Sequence, residues 1–228
     1  MARSALIMNP VLVYCYDAYC GWCFGFSTII KQIAIEYKNT MHAEVLSGGM
    51  ILPDKPYPII HTAPYIQKAY KNVEERTGAK FGEDYLWHIF NPEESDWFPD
   101  SIKPAIAMCI FKEYHPDKQV EFAADIQYAH HFEGRDLTDN ESYRHLLTRY
   151  SIPEDEFYKK MGETEYAEKA RYEFALVKQL KVTGFPTVLI QTDETKFYLV
   201  ARGFTDQETL KKNIQSVLTS IATTSSSS

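Results

Sequence analysis

The strongest constraint on this fold is a change of hydrophobic period on either side of two closely spaced cysteines. Val11-Leu12-Val13-Tyr14-Cys15-Tyr16 is a short apolar run rich in strand formers, the pattern of a buried central strand. A loop, Asp17-Ala18-Tyr19, leads into Cys20-Gly21-Trp22-Cys23. Beyond it Ile29, Ile30, Ile33, Ala34 and Tyr37 recur at helical spacing, which predicts a helix from Trp22 to Lys38 with Asn39 as its stop. Ala43 to Ser47 alternates as a second strand and ends at Gly48-Gly49. Strand, helix and strand in so short a span make a right-handed parallel βαβ unit the default.

The pattern then changes. From Ile59 to Gln179 it is mostly helical, with loops at Pro53, Pro56, Pro58, Pro92 and Pro99. Pro104 opens a helix whose one apolar face carries Ala105, Ile106, Cys109 and Ile110. Thr138-Asp139-Asn140-Glu141 reads as a capping box ahead of Tyr143, Leu146 and Leu147, and Thr164 to Gln179 as another helix. Strand character returns in Pro186 to Gln191 and Lys196 to Val200, joined as a hairpin. Thr205-Asp206-Gln207-Glu208 is a second capping box, opening a helix that buries Leu210, Ile214, Val217 and Leu218. The expected organisation is an α/β unit from residues 1–50 and 181–221, a helical insertion over 51–180, and a disordered polar tail over 222–228.

Composition narrows the functions. The 228 residues are 45% hydrophobic, enough for a real core. A net charge of -7 removes the basic footprint of a nucleic-acid binder, and no apolar run approaches the ~20 residues that span a bilayer. Asn9 and Pro10 split the N-terminal apolar run, and no small-residue cleavage site precedes Cys20, so Met1 to Tyr16 reads poorly as a signal peptide. A cytoplasmic location is expected. There a close cysteine pair is catalytic or metal-binding rather than structural.

Cysteines spaced C-x-x-C at a helix start can close a small disulfide ring. Unpaired N–H groups and the helix dipole favour thiolate there, and thiols in such motifs titrate at about 3.5–7.5 against about 8.5 when free. Cys20, at the exposed helix mouth, is the expected nucleophile; Cys23, one turn in, resolves the mixed disulfide. Gly21-Trp22 carries no charge, and Asp17 nearby opposes thiolate formation. Together they suggest a mild reduction potential rather than the strongly oxidising end near about -120 mV. A zinc site is the competing chemistry, but it needs four ligands. Cys15 points away on the strand, Cys109 sits on an apolar stripe, and adjacent His130 and His131 diverge by roughly 100° on a helix. No metal is expected. Trp22 reads equally as an active-site rim or a core residue. His88 has no evident partner, Gly48-Gly49-Met50 no evident role, and the Tyr57 to Pro64 loop suits a substrate lid.

Asp17-Ala18-Tyr19-Cys20-Gly21-Trp22-Cys23-Phe24-Gly25-Phe26 and Thr183-Gly184-Phe185-Pro186-Thr187 together resemble the thioredoxin superfamily, in its DsbA-like branch with a helical insertion. The first segment is similar to the D-x-x-C-x-W-C pattern of FrnE-like and cytosolic protein-disulfide-isomerase members. The second is similar to the cis-proline loop that faces the C-x-x-C. The resemblance implies an α/β thioredoxin-like fold, βαβ–ββα with a large all-helical insertion. It implies a thiol–disulfide oxidoreductase or isomerase with Cys20, Cys23 and Pro186 as catalytic positions. Gly21, Trp22, Phe185 and Thr187 would contact substrate and Asp17 would modulate the thiols. It implies a disulfide-bearing protein or small molecule as substrate, no resident cofactor, glutathione as a co-substrate, and a redox partner protein. The Gly-Trp dipeptide departs from the Pro-His of strong periplasmic oxidants, and Phe185 is bulkier than the Val or Thr common before the proline. Two other functions remain open: a relative of kappa-class glutathione transferases or isomerases, which carry Ser at the first cysteine position, and a non-catalytic zinc-binding module.

Overall fold

The computed structural model describes residues 9–55 and 57–225; the first eight residues, Pro56, and residues 226–228 of the expected tail lie outside it. Strand β1 (Val11–Tyr16) leads into α1 (Gly21–Tyr37) and β2 (His42–Ser47). A single 3-10 turn at Ile59–His61 is followed by α2 (Ala63–Thr77), α3 (Glu83–Phe90), α4 (Ile102–Tyr114), α5 (Gln119–His131), α6 (Glu141–Tyr150), α7 (Glu154–Met161) and α8 (Thr164–Gln179). The chain then returns through β3 (Thr187–Gln191), β4 (Phe197–Arg202) and α9 (Gln207–Ser225). This is a thioredoxin-like fold with a helical insertion between β2 and β3.

The strands form one mixed sheet in the order β2-β1-β3-β4. β1 pairs parallel with β2, and β3 runs antiparallel to both β1 and β4. All six residues of β1 are buried, as their apolar run requires of a central strand. Its two faces separate cleanly. Leu12, Tyr14 and Tyr16 enter the large core shared with Ile30 and Ile33 of α1, whereas Val11, Val13 and Cys15 enter a smaller cluster with Leu46, Val177 and Leu189.

Four details depart from the expectations. The N-cap of α6 is Asn140, not Thr138, and its side chain makes no capping bond; Asp139 before it accepts the Glu141 N–H at 3.1 Å, while the Thr138 hydroxyl is bound to Asp136. Asp206, not Thr205, caps α9, accepting the Thr209 N–H at 2.9 Å. In both cases a carboxylate adjacent to the Thr outcompetes its hydroxyl as acceptor. α4 presents no single apolar face. Pro104 through Phe111 are all buried because α5, α7 and α8 pack around it. α9 also continues through Ser225, into the expected tail, since extending a nucleated helix needs no new nucleus.

Candidate functional site

Cys20 is the N-cap of α1, with φ -81° and ψ 107°. From this position its sulfur accepts the Cys23 N–H at 3.3 Å, the reach of any N-cap side chain to the third helical residue. The C-x-x-C spacing is thus the spacing of a helix cap. Cys23 is fully buried; burial first, then the neighbouring Cys20 sulfur, raise its thiol pKa well above the ordinary value.

The facing loop arrives by strand register. Cys15 of β1 opposes Thr187 of β3, so the residues after Tyr16 run alongside those before Thr187. The Phe185–Pro186 peptide is cis. The Phe185 carbonyl accepts the Cys20 S–H at 3.6 Å. Pro186 is buried, and its carbonyl accepts the Gly203 N–H at 2.7 Å, tying the loop to β4. Thr187 is placed differently from the expectation. Its hydroxyl donates to the Gly184 carbonyl at 2.8 Å, and it does not line the cavity beside Cys20, because strand alternation turns it inward.

Asp17 anchors the loop before the cysteines. Its carboxyl accepts N–H groups from Tyr19 at 3.0 Å and Met50 at 2.7 Å and the Ser101 hydroxyl at 3.1 Å. Burial raises its pKa, against the pull of these bonds. Its charge bears on Cys23, raising that thiol further. Gly48-Gly49 also has a role. A Cβ on Gly48 would lie 2.0 Å from the Phe185 ring, and Gly49 turns at φ +67°. The bulky Phe185 is accommodated by the absence of a side chain at Gly48.

Cys20 is only 6% exposed, which corrects the expectation of an open helix mouth. The insertion folds over it. Phe81 lies 3.2 Å from where a Gly21 Cβ would be, and Tyr85, whose hydroxyl pKa burial and then Cys20 raise, lines the same cavity as the thiol. What remains of the Cys20 surface opens into a cavity of about 510 Å³. Gly21, Trp22 and Phe185 line it, as do Tyr57, Ile59 and Thr62 of the loop expected to be a lid. Trp22 is half-buried against Phe204, beneath the Arg76 guanidinium at 5.7 Å, and so serves both as packing and as rim.

Tyr85, Phe81, Tyr70 and His130 of this wall escape sequence reasoning, since only packing of the insertion brings them to Cys20. Tyr14 is different. It is fully buried, and its hydroxyl has no hydrogen bond of good geometry; after burial, the Cys23 and Cys20 sulfurs are the next causes of its raised pKa. Strand alternation places it on the cysteine side of β1, a signal legible in advance. His88 has found partners, a 2.8 Å bond between Nδ1 and the Ser95 Oγ and a ring stacked 3.9 Å from Trp97. Among the described residues no group of three His, Cys, Asp or Glu is arranged to hold a metal ion, and no helix is long and apolar enough to cross a membrane.

The family model of the DSBA-like thioredoxin domain matches residues 11–215. A candidate protein disulfide isomerase from Nitrosomonas europaea superposes with a TM-score of 0.79 at 23% identity, over 93% of this chain and 99% of that one. The cytosolic disulfide reductase DsbM from Pseudomonas aeruginosa superposes at 0.73 with 23% identity, over 91% and 98%. Its structure with GSH superposes at 0.67 with 24% identity, over the same shares. At these identities the superpositions establish the shared fold. A search of curated proteins finds no match to the sequence.

Proposed function

The chain belongs to the DSBA-like thioredoxin domain family of thiol–disulfide oxidoreductases, and from that premise we propose that Cys20 and Cys23 are its working dithiol. The Cys20 sulfur attacks one sulfur of a substrate disulfide. The S–S electrons leave with the other half as a thiolate, and a Cys20–substrate mixed disulfide remains. The Cys23 sulfur then attacks the Cys20 sulfur, expelling the second thiolate and leaving a Cys20–Cys23 disulfide. Two electrons have passed from protein to substrate. Two equivalents of a small thiol, or a dithiol redox partner protein, return them.

The observation that carries this reading is the placement of the Cys20 sulfur between the Cys23 N–H at 3.3 Å and the Phe185 carbonyl at 3.6 Å. Phe185 and Pro186 would hold the attacked sulfur in line, Trp22 and Gly21 would border the substrate, and Asp17 would act by fixing the Met50 and Tyr19 amides. The uncharged Gly21-Trp22 pair and the Asp17 carboxyl near Cys23 support a mild potential, suited to a reductase or isomerase in the reducing cytoplasm.

Insulin reduction by dithiothreitol tests the reading. The wild type should accelerate it, and Cys20→Ala should fall to the uncatalysed rate. Full activity in the variant would refute the assignment.

A further inference from the structure

Resting on the dithiol reading above, we propose that the cavity beside Cys20 selects a low-molecular-mass disulfide whose organic part is uncharged and apolar, and that it rejects carboxylate-bearing disulfides such as oxidised glutathione. The volume of about 510 Å³ suits a small molecule rather than a chain segment. Its walls come from four places. Trp22 stands at the start of α1, Ile66 and Tyr70 on α2, and Phe81 and Tyr85 at α3, with Phe185 opposite. Among the described residues lining it there is no Lys, Arg, Asp or Glu.

The single histidine in the wall does not supply a charge. Burial pulls the pKa of His130 down to about 4, so it is neutral at physiological pH. Arg76 lies over the Trp22 ring at 5.7 Å and is not part of the lining. A carboxylate entering here loses its water and finds no countercharge, while the net charge of -7 adds no attraction. An uncharged ring gains contact with aromatic faces instead. In the exchange, the half of the substrate that stays bonded to Cys20 occupies the cavity, and the other half leaves as thiolate.

The test is a single turnover of pre-reduced protein at neutral pH. The probes are dithiodipyridine, an uncharged aromatic disulfide; dithiobis-nitrobenzoate, an aromatic one with a carboxylate on each ring; and oxidised glutathione. Each rate is divided by the rate of the same disulfide with dithiothreitol, and Cys20→Ser corrects for the other cysteines. The normalised rate for dithiodipyridine should exceed those of both carboxylates by about 10-fold or more, the scale of pocket discrimination. Ala69→Lys, which puts an ammonium on the α2 wall, should narrow that ratio several-fold; circular dichroism confirms its folding. Equal normalised rates, or a preference for carboxylates, overturn the proposal alone. So does an unchanged ratio in folded Ala69→Lys. Absence of Cys20-dependent exchange with every probe overturns the dithiol reading with it. The wild-type ratio decides whether or not the variant folds.

Discussion

Cys20 and Cys23 at the start of α1, Cys15 on β1 and Cys109 on α4 are all buried free thiols, yet their surroundings differ. Cys15 sits in an aliphatic cluster on the far face of β1. Cys109 donates to the Glu173 carboxylate at 3.7 Å. Burial first, then Glu173, push both thiols up to about 12. Cys20 instead faces a backbone N–H and an uncharged cavity. The contrast extends to charge. Near Cys109, Lys112 is paired with Glu173 and Glu44, each at 2.7 Å, and Glu173 also accepts the Ser47 N–H at 2.8 Å. Burial alone therefore says little about a thiol's use; the donors beside it and its access to substrate decide.

The most forceful way to break this comparison is alkylation of the native protein with iodoacetamide. At pH 8 a thiol of pKa about 12 is thiolate in about 1 molecule in 10,000. Peptide mass spectrometry should therefore find Cys20 modified while Cys15 and Cys109 stay intact. Modification of Cys15 at a comparable rate would remove the distinction.

The second test charges the cavity side. His130 has a folded pKa of about 4 against about 6.5 unfolded, so between those values the unfolded chain binds the proton more readily. Stability from this group is intact above pH 6.5 and falls as pH drops towards 4, by about 3 kcal/mol in all. Urea unfolding at several pH values should show that slope, and His130→Gln should reduce it, leaving the part contributed by His131, which burial also holds well below its ordinary value. An equal slope in both proteins would assign the acid sensitivity elsewhere.

The smallest effect concerns the loop facing Cys20. Gly48→Ala drives a methyl into the Phe185 ring and should cost about 1–3 kcal/mol by thermal unfolding, with slower exchange because the Phe185 carbonyl shifts. Gly184→Ala meets nothing within 4 Å and should stay within about 0.5 kcal/mol of wild type. Similar losses in both would mean that Phe185 yields freely.

Local signals carried a large part of this fold. The apolar run of β1, the 3.6-residue spacing of α1 and the turn between β3 and β4 are dictated by nearest neighbours along the chain, so they are legible without the fold. The capping boxes show where that legibility stops. Helix starts were read to within a few residues, but at both capping boxes the amide bond goes to the carboxylate beside the Thr, Asp139 or Asp206.

The sequence by itself determined that two cysteines would stand at the start of a helix after a buried strand, because C-x-x-C spacing and hydrophobic period are local properties. It also determined that a proline loop would precede β3. Only the tertiary structure decided what Cys20 faces. Strand register brought Phe185 to its sulfur, Gly48 made room for that ring, and the insertion closed Tyr70, Phe81, Tyr85 and His130 into an uncharged cavity. These contacts join residues far apart in the chain, and no local period encodes which apolar faces of separate helices will meet.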